Sequence, residues 1–156
     1  VVSLDHPRTP QIVAAAAPHL DVLLVNEREL GMMLGQDPVE ASADQLEAAA
    51  GEALRLGAGS VVAHCPHGAV AVTAQGAVRL GSLRLPEGFV AGATGAGDAF
   101  AAGYLLGLHE GASAADCLNR AVCCAAMSLA APSASDGMQD LQACLALGDA
   151  HGYRDF

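Results

Sequence analysis

Gly92-Ala93-Thr94-Gly95-Ala96-Gly97-Asp98-Ala99-Phe100-Ala101-Ala102-Gly103 is the stretch on which the fold and chemistry of this chain turn. From Gly92 to Gly97 the residues are small, so no long side chain blocks an approaching ligand. An acid follows at Asp98, and then Ala99, Phe100, Ala101, Ala102, Tyr104, Leu105, Leu106 and Leu108 make a strongly apolar helical run. A Gly-rich turn that opens a helix leaves backbone N–H groups without intrahelical acceptors at the positive end of the helix dipole, a ready anion site. The dipole also favours a carboxylate in the first turn. An acid beside a bound anion is nevertheless costly unless it has chemical work to do. The pattern therefore points to a phosphate cradle with a general base next to it.

The same residues fit two other schemes. Gly95 and Gly97 can shape a plain strand-to-helix turn, with Asp98 as an N-terminal helix acid. A dinucleotide-binding fingerprint needs G-x-G-x-x-G and an acid about twenty residues on. Gly95 and Gly97 supply its first two glycines, but Phe100 holds the third place and Asp116 lies in a helical pattern. A P-loop is excluded, because the chain has no lysine to follow the glycines.

Thr94 to Tyr104, T-G-A-G-D-A-F-A-A-G-Y, resembles the second signature of the ribokinase-like, PfkB-type carbohydrate kinases. The resemblance implies that the backbone of Gly95, Ala96 and Gly97 is the anion hole for the transferred phosphoryl group. It makes Asp98 the base that deprotonates a sugar hydroxyl, and sets Thr94 among the nucleotide-binding residues.

Whole-chain properties agree with a folded domain. The chain has 156 residues, 53% of them hydrophobic, enough for one domain with a real core. Its formal net charge of −10, with arginine the only basic side chain besides histidine, argues against a nucleic-acid surface. An acidic protein that holds a polyanion needs local donors such as backbone amides and a metal. No apolar run approaches the ~20 residues of a membrane span, and Val1 to Arg8 do not resemble a signal peptide. Five cysteines without C-x-x-C spacing read as buried, reduced thiols of a cytoplasmic protein.

Along the chain, residues 1–4 read as a short strand and 11–20 as an Ala-rich helix ending near Pro18. Asp21 to Val25 is a continuous apolar run of buried parallel-strand type. Asn26 closes it and a helix begins at Glu27, so Asn26 and Glu29 lie at a strand-to-helix corner, one helical turn apart. Ligands of α/β sheets bind at the carboxyl ends of strands. An amide and a carboxylate there suit a hydrated Mg²⁺, which takes oxygen donors and keeps several waters. An Asn N-cap with Glu three residues on is equally a capping arrangement. V-N-E-R-E-L also resembles the Asn-x-x-Glu motif of the same kinases, which implies that Asn26 and Glu29 order magnesium, through water, and phosphate.

Residues 42–56 read as a helix, 60–63 as a buried strand, and 69–74 with 77–80 as a hairpin. Arg79 and Arg84, in and after its return strand, are solvated charges or phosphate contacts. His64-Cys65-Pro66-His67 raises a zinc site, but Pro66 sets these groups at a turn and no second cluster completes it. The family commonly has a Gly-x-x-Gly turn here, near the nucleotide phosphates. Gly68 matches its second glycine, and Cys65 stands in place of the first. Helices follow over 97–108, 114–130 and 138–147, the last implied to line the adenine pocket. Val122 stands where relatives often have an Asn that contacts the base. Gly92 stands where many have an Asp, which counts against a monovalent-cation site.

The alternation of strands with helices predicts one α/β, ribokinase-like three-layer fold with a mostly parallel sheet. The resemblance covers the C-terminal half of the family's domain, and the relatives' N-terminal half carries the sugar-binding residues and a small β lid. The expected activity is ATP- and Mg²⁺-dependent phosphorylation of a primary hydroxyl on a sugar, sugar-like substrate or nucleoside, by a fragment inactive alone. Relatives often dimerise through the lid, so a homodimer is among the implied assemblies. A non-catalytic nucleotide-binding fragment is the alternative, and a dinucleotide-dependent oxidoreductase the second.

Overall fold

Short apolar runs and strong caps decide where each element of the computed structural model starts and stops. It describes residues 8–36 and 42–156; the strand expected over 1–4 lies outside them. The chain divides into two compact units, Val1–Arg79 and Leu80–Phe156.

In the first unit, α1 (Thr9–Ala16) runs into a 3-10 turn (Ala17–His19), and the apolar run at 21–25 forms β1 (Leu23–Asn26). Helix α2 (Glu27–Leu34) begins directly at Asn26 and stops at Gly35, whose φ of 68° is the left-handed C-cap that glycine adopts without strain. Ser42 caps α3 (Ala43–Leu54) by accepting from the Gln45 N–H. The strands β2 (Ser60–Cys65), β3 (Gly68–Thr73) and β4 (Gly76–Gly81) complete a sheet of order β1-β2-β3-β4. Helix α3 lies against β2 and β3, with Leu46, Ala49, Ala50 and Ala53 buried in the same core as Val61, Val62, Val70 and Ala71. Arg79 on β4 is tied to Asp44 and Glu47 of α3 at 2.8 and 2.5 Å, a structural surface role.

The expected mostly parallel sheet is not what forms among the described residues. Only β1 and β2 run parallel, from Leu23 opposite Val61 to Asn26 opposite His64. Strands β2 and β3 are antiparallel, from Ser60 opposite Thr73 to Cys65 opposite Gly68, and the sheet is mixed. Connection length explains the difference. A parallel pair needs a crossover of about a dozen residues or more, which α2 and α3 supply between β1 and β2. Pro66-His67 and Ala74-Gln75 are two-residue turns, and such turns join only antiparallel neighbours.

The second unit is built on three helices, α4 (Ala96–His109), α5 (Ala114–Ser128) and α6 (Leu141–His151). Caps at Ser113 and Asp140 start α5 and α6. The α4–α5 crossing is close because of two glycines. A Cβ on Gly103 would lie 2.7 Å from the Arg120 carbonyl oxygen, and one on Gly107 would lie 2.8 Å from Cys117 Sγ. Phe100, Tyr104, Leu118, Cys117, Cys123 and Cys144 fill the core. Burial pushes the Tyr104 phenol up to about 12, so it stays neutral.

The C-terminal segment is tied back by backbone bonds, Arg84 N–H to Gly152 O at 3.0 Å and Arg154 N–H to Ser82 O at 2.8 Å. Between them the Tyr153 hydroxyl donates to Asn119 Oδ1 on α5, with Cys123 Sγ 3.5 Å from the same hydroxyl. Removing that hydroxyl leaves the part-buried Asn119 amide oxygen with only the weak Cys123 thiol donor, 3.6 Å away. Tyr153→Phe is therefore expected to lower stability by about 1–2 kcal/mol in a denaturant titration, with the m-value unchanged. None of the five cysteines is in a disulfide and all are buried, and burial raises the Cys65, Cys117, Cys123 and Cys124 thiols, which keeps them protonated.

Candidate active site

The start of α4 is unlike a conventionally capped helix. Gly95 is its N-cap, at φ 83° and ψ −3°, and offers no side chain to the first turn. A Cβ there would stand 2.8 Å from Ala134, and one on Gly92 would stand 2.7 Å from Pro132 Cα. The turn is thus pressed against the loop after α5, where Ala91 N–H also donates to Leu129 O at 2.8 Å. Glycine is required at 95 on two counts, the left-handed φ and the approaching backbone.

Helices α2, α3, α5 and α6 each have a side-chain cap, from Asn26, Ser42, Ser113 and Asp140. In α4 no side chain occupies the free amides. The Ala96 N–H, one of the backbone groups expected to face an anion, donates within the turn to Ala93 O, at a long 3.3 Å. The amides of Gly97 and Asp98 come next in the first turn, where no intrahelical acceptor exists. Thr94, Gly97 and Asp98 are exposed. No salt bridge among the described residues engages the Asp98 carboxylate.

In the first unit, Asn26 and Glu29 form a full capping box. Glu29 N–H donates to Asn26 Oδ1 at 2.8 Å, and Asn26 N–H donates to Glu29 Oε2 at 2.9 Å. Both schemes for this pair therefore draw on the same atoms: the box fixes the corner, while Asn26 Nδ2 and Glu29 Oε1 take no part in it. Among the described residues no group of three His, Cys, Asp or Glu could hold a metal, which also removes the zinc arrangement at His64, Cys65 and His67. One carboxylate oxygen at a half-buried corner does fit Mg²⁺, which binds through one or two carboxylates, waters and substrate phosphates rather than in a protein cage.

His64 is a neighbour that sequence spacing did not assign to this corner. It pairs with Asn26 across the parallel β1–β2 register. Burial lowers its pKa, against the opposing pull of the Glu27 and Glu29 carboxylates. The only signal for it was its place at the end of β2, one strand over from Asn26.

Gly68 is buried and opens β3 opposite Cys65, so the turn expected near phosphates is a two-residue hairpin of Pro66 and His67. Val122 is buried in α5, only 5% exposed, where an Asn could have shown a polar group to a base. Asn26, Glu29 and Gly68 thus belong to the first unit, and Thr94 to Asp98 with Val122 to the second.

Comparison with known proteins adds the following. The model of the pfkB family of carbohydrate kinases matches residues 1–141. A ribokinase from Arabidopsis thaliana is 30% identical over 128 residues, which is 82% of this chain and 33% of that protein. The structure of Arabidopsis thaliana ribokinase complexed with ribose and ATP is similar with a TM-score of 0.74 at 25% identity, over 86% of this chain and 42% of that one. A putative ribokinase II from E. coli, in complex with ATP and Mg²⁺, shares the fold with a TM-score of 0.73 at 19% identity, over 94% of this chain and 46% of that one. The chain thus spans from a third to under half of the length of these relatives. With a match over residues 1–141, which takes in the Asn26 corner and the glycine-capped start of α4 and reaches the first residue of α6, the chain belongs to the pfkB family of carbohydrate kinases.

Proposed function

We propose that this chain is the nucleotide-binding and phosphoryl-transfer portion of an ATP-dependent kinase acting on a primary hydroxyl of a sugar, sugar-like compound or nucleoside. The observation that carries the proposal is the start of α4, where side-chain-free amides of Gly97 and Asp98 adjoin an exposed, unbridged Asp98 carboxylate. The ligands of the relatives agree with it: one solved ribokinase holds ribose and ATP, and another relative holds ATP and Mg²⁺.

Asp98 accepts the proton of the attacking hydroxyl as that oxygen bonds to the γ-phosphorus, while the bond from this phosphorus to the β–γ bridging oxygen breaks and ADP leaves carrying that oxygen. The amides of Gly97 and Asp98 donate to the equatorial oxygens of the group in flight, where charge is greatest in the transition state. Gly95 lets the turn close against Ala134, where a Cβ would stand 2.8 Å away, and so sets the position of the amides that follow it. Glu29 and Asn26 would hold magnesium through water, and the ion would supply charge neutralisation for phosphate oxygens of the nucleotide. Positioning and electrostatics carry most of such a transfer.

Calorimetry with ATP and Mg²⁺ on the protein from its complete reading frame, followed by a coupled ADP-release assay across a sugar and nucleoside panel, tests this. Heat of binding with sugar-dependent ADP release is the expected result. Binding without release from any acceptor favours a non-catalytic nucleotide-binding module, a reading that Cys65 at the expected glycine and the buried Val122 support. Glu29→Gln is a sharper probe of the metal corner. Glutamine still completes a capping box, so α2 should be preserved, while the Mg²⁺ concentration for half-maximal turnover should rise about tenfold or more. An unchanged Mg²⁺ requirement would limit Glu29 to capping.

A further inference from the structure

His64 is out of keeping with the strand that carries it. Val61, Val62 and Ala63 before it are fully buried and apolar, and Cys65 after it is buried, whereas His64 is a half-buried polar ring near the end of β2. Taking an imidazole partly out of water is unfavourable unless it meets polar partners. The parallel register sets it opposite Asn26, and residues in register on neighbouring strands share a face of the sheet about 5 Å apart. Helix α2 packs on β2 as well as on β1, and the Glu27 and Glu29 carboxylates of its first turn lie close enough for their charges to act on the ring. Asn26, Glu29 and His64 thus share one corner.

The capping box by itself leaves two torsions of this corner open. It engages Asn26 Oδ1 and Glu29 Oε2 through one hydrogen bond each, and the terminal torsions of an amide and a carboxylate are broad and soft. A neighbour that fixes those planes before a ligand arrives removes the entropy loss of ordering them on binding. We propose that His64 is a positioning residue for the metal corner: its imidazole, at the carboxyl end of β2, holds the Asn26 amide and the Glu29 carboxylate so that Nδ2 faces a phosphate oxygen and Oε1 faces a water of a hydrated divalent cation. The inference rests on the reading of Asn26 and Glu29 as the magnesium corner, and adds to it the residue that orients them.

Mn²⁺, which takes the same oxygen ligands as Mg²⁺ and is counted by its EPR signal, is the probe. Its dissociation constant from the complex of the complete protein with ADP is measured for the parent, for His64→Leu and for His64→Val, the second an apolar replacement well suited to a strand. ADP affinity in EDTA is measured on the same samples. Both apolar variants are expected to weaken Mn²⁺ binding about tenfold, while metal-free ADP affinity stays within about twofold. His64→Gln or His64→Asn, which return a polar atom near the place of Nε2 or Nδ1, should recover most of the loss. An unchanged Mn²⁺ affinity in the apolar variants overturns the proposal. So does a parallel loss of metal-free ADP affinity, which marks a deformed strand end, and so does failure of both amides to recover binding. Glu29→Gln separates this proposal from the one beneath it. Weaker Mn²⁺ binding in Glu29→Gln but not in the His64 variants sinks only the role of His64, whereas no change in either sinks the metal corner as well. None of these readouts depends on turnover.

Discussion

Asp98→Asn in the complete kinase is expected to lower turnover by roughly 10²–10⁴-fold while ATP affinity stays nearly the same. The substitution keeps size and hydrogen-bonding capacity at the start of α4 but removes the carboxylate proposed to take the acceptor's proton. Asp98 is exposed and bridged to no cation among the described residues, so neutralising it breaks none of the ion pairs they form and should leave folding intact. The loss of a first-turn acid costs α4 only about 0.3–1 kcal/mol. Removing negative charge beside a bound polyanion also gives no reason for nucleotide to bind worse. The measurement is a steady-state assay with calorimetry on the same preparation. Turnover within a few-fold of the parent would take Asp98 out of the role of base.

Gly103→Val should produce the largest stability loss of the single changes considered, about 3 kcal/mol or more. A Cβ at this position meets the Arg120 carbonyl oxygen at 2.7 Å, the Arg120 carbonyl carbon at 2.9 Å and Ala121 Cα at 3.0 Å. All are backbone atoms of a facing helix, which cannot swing aside as a side-chain tip would. The better helix propensity of a non-glycine residue returns at most about 1 kcal/mol and does not offset the overlap. Gly51→Ala on α3 is the matched control. Nothing lies within 4 Å of its Cβ position and its φ is ordinary, so it should stabilise by about 0.5–1 kcal/mol. Opposite shifts in the urea midpoint are the expected result; two shifts of the same sign would contradict the close α4–α5 crossing.

What could be read from the chain was what is local. The signature around Asp98, the apolar face of α3, the hairpin of β3 and β4 and the box at Asn26 and Glu29 each lie within one or two turns of chain. The direction of the sheet was misjudged because alternating strands and helices were weighed above connection length. Pro66-His67 leaves no room for a crossover, and that fact was available in the sequence. The neighbourhood of His64 was not, since its place beside Asn26 follows from the β1–β2 register, which only tertiary structure fixes. Nor could the bond from Ala96 N–H to Ala93 O be foreseen, because it depends on how the turn closes against Pro132 and Ala134. Family kinship was legible in full; the departures at Cys65 and Val122 needed the structure to show a tight hairpin and a buried side chain.

The bare start of α4 has a consequence for evolution and engineering. A serine or aspartate cap is typically worth about 1 kcal/mol, and this helix forgoes it where four others keep theirs. Selection for thermal robustness would not fill that gap with a serine or aspartate at 95, because the left-handed φ of 83° and the approach of Ala134 hold that position to glycine. Variants enriched for heat resistance without an activity screen should therefore keep Gly95 and gather their stabilising changes elsewhere in the chain.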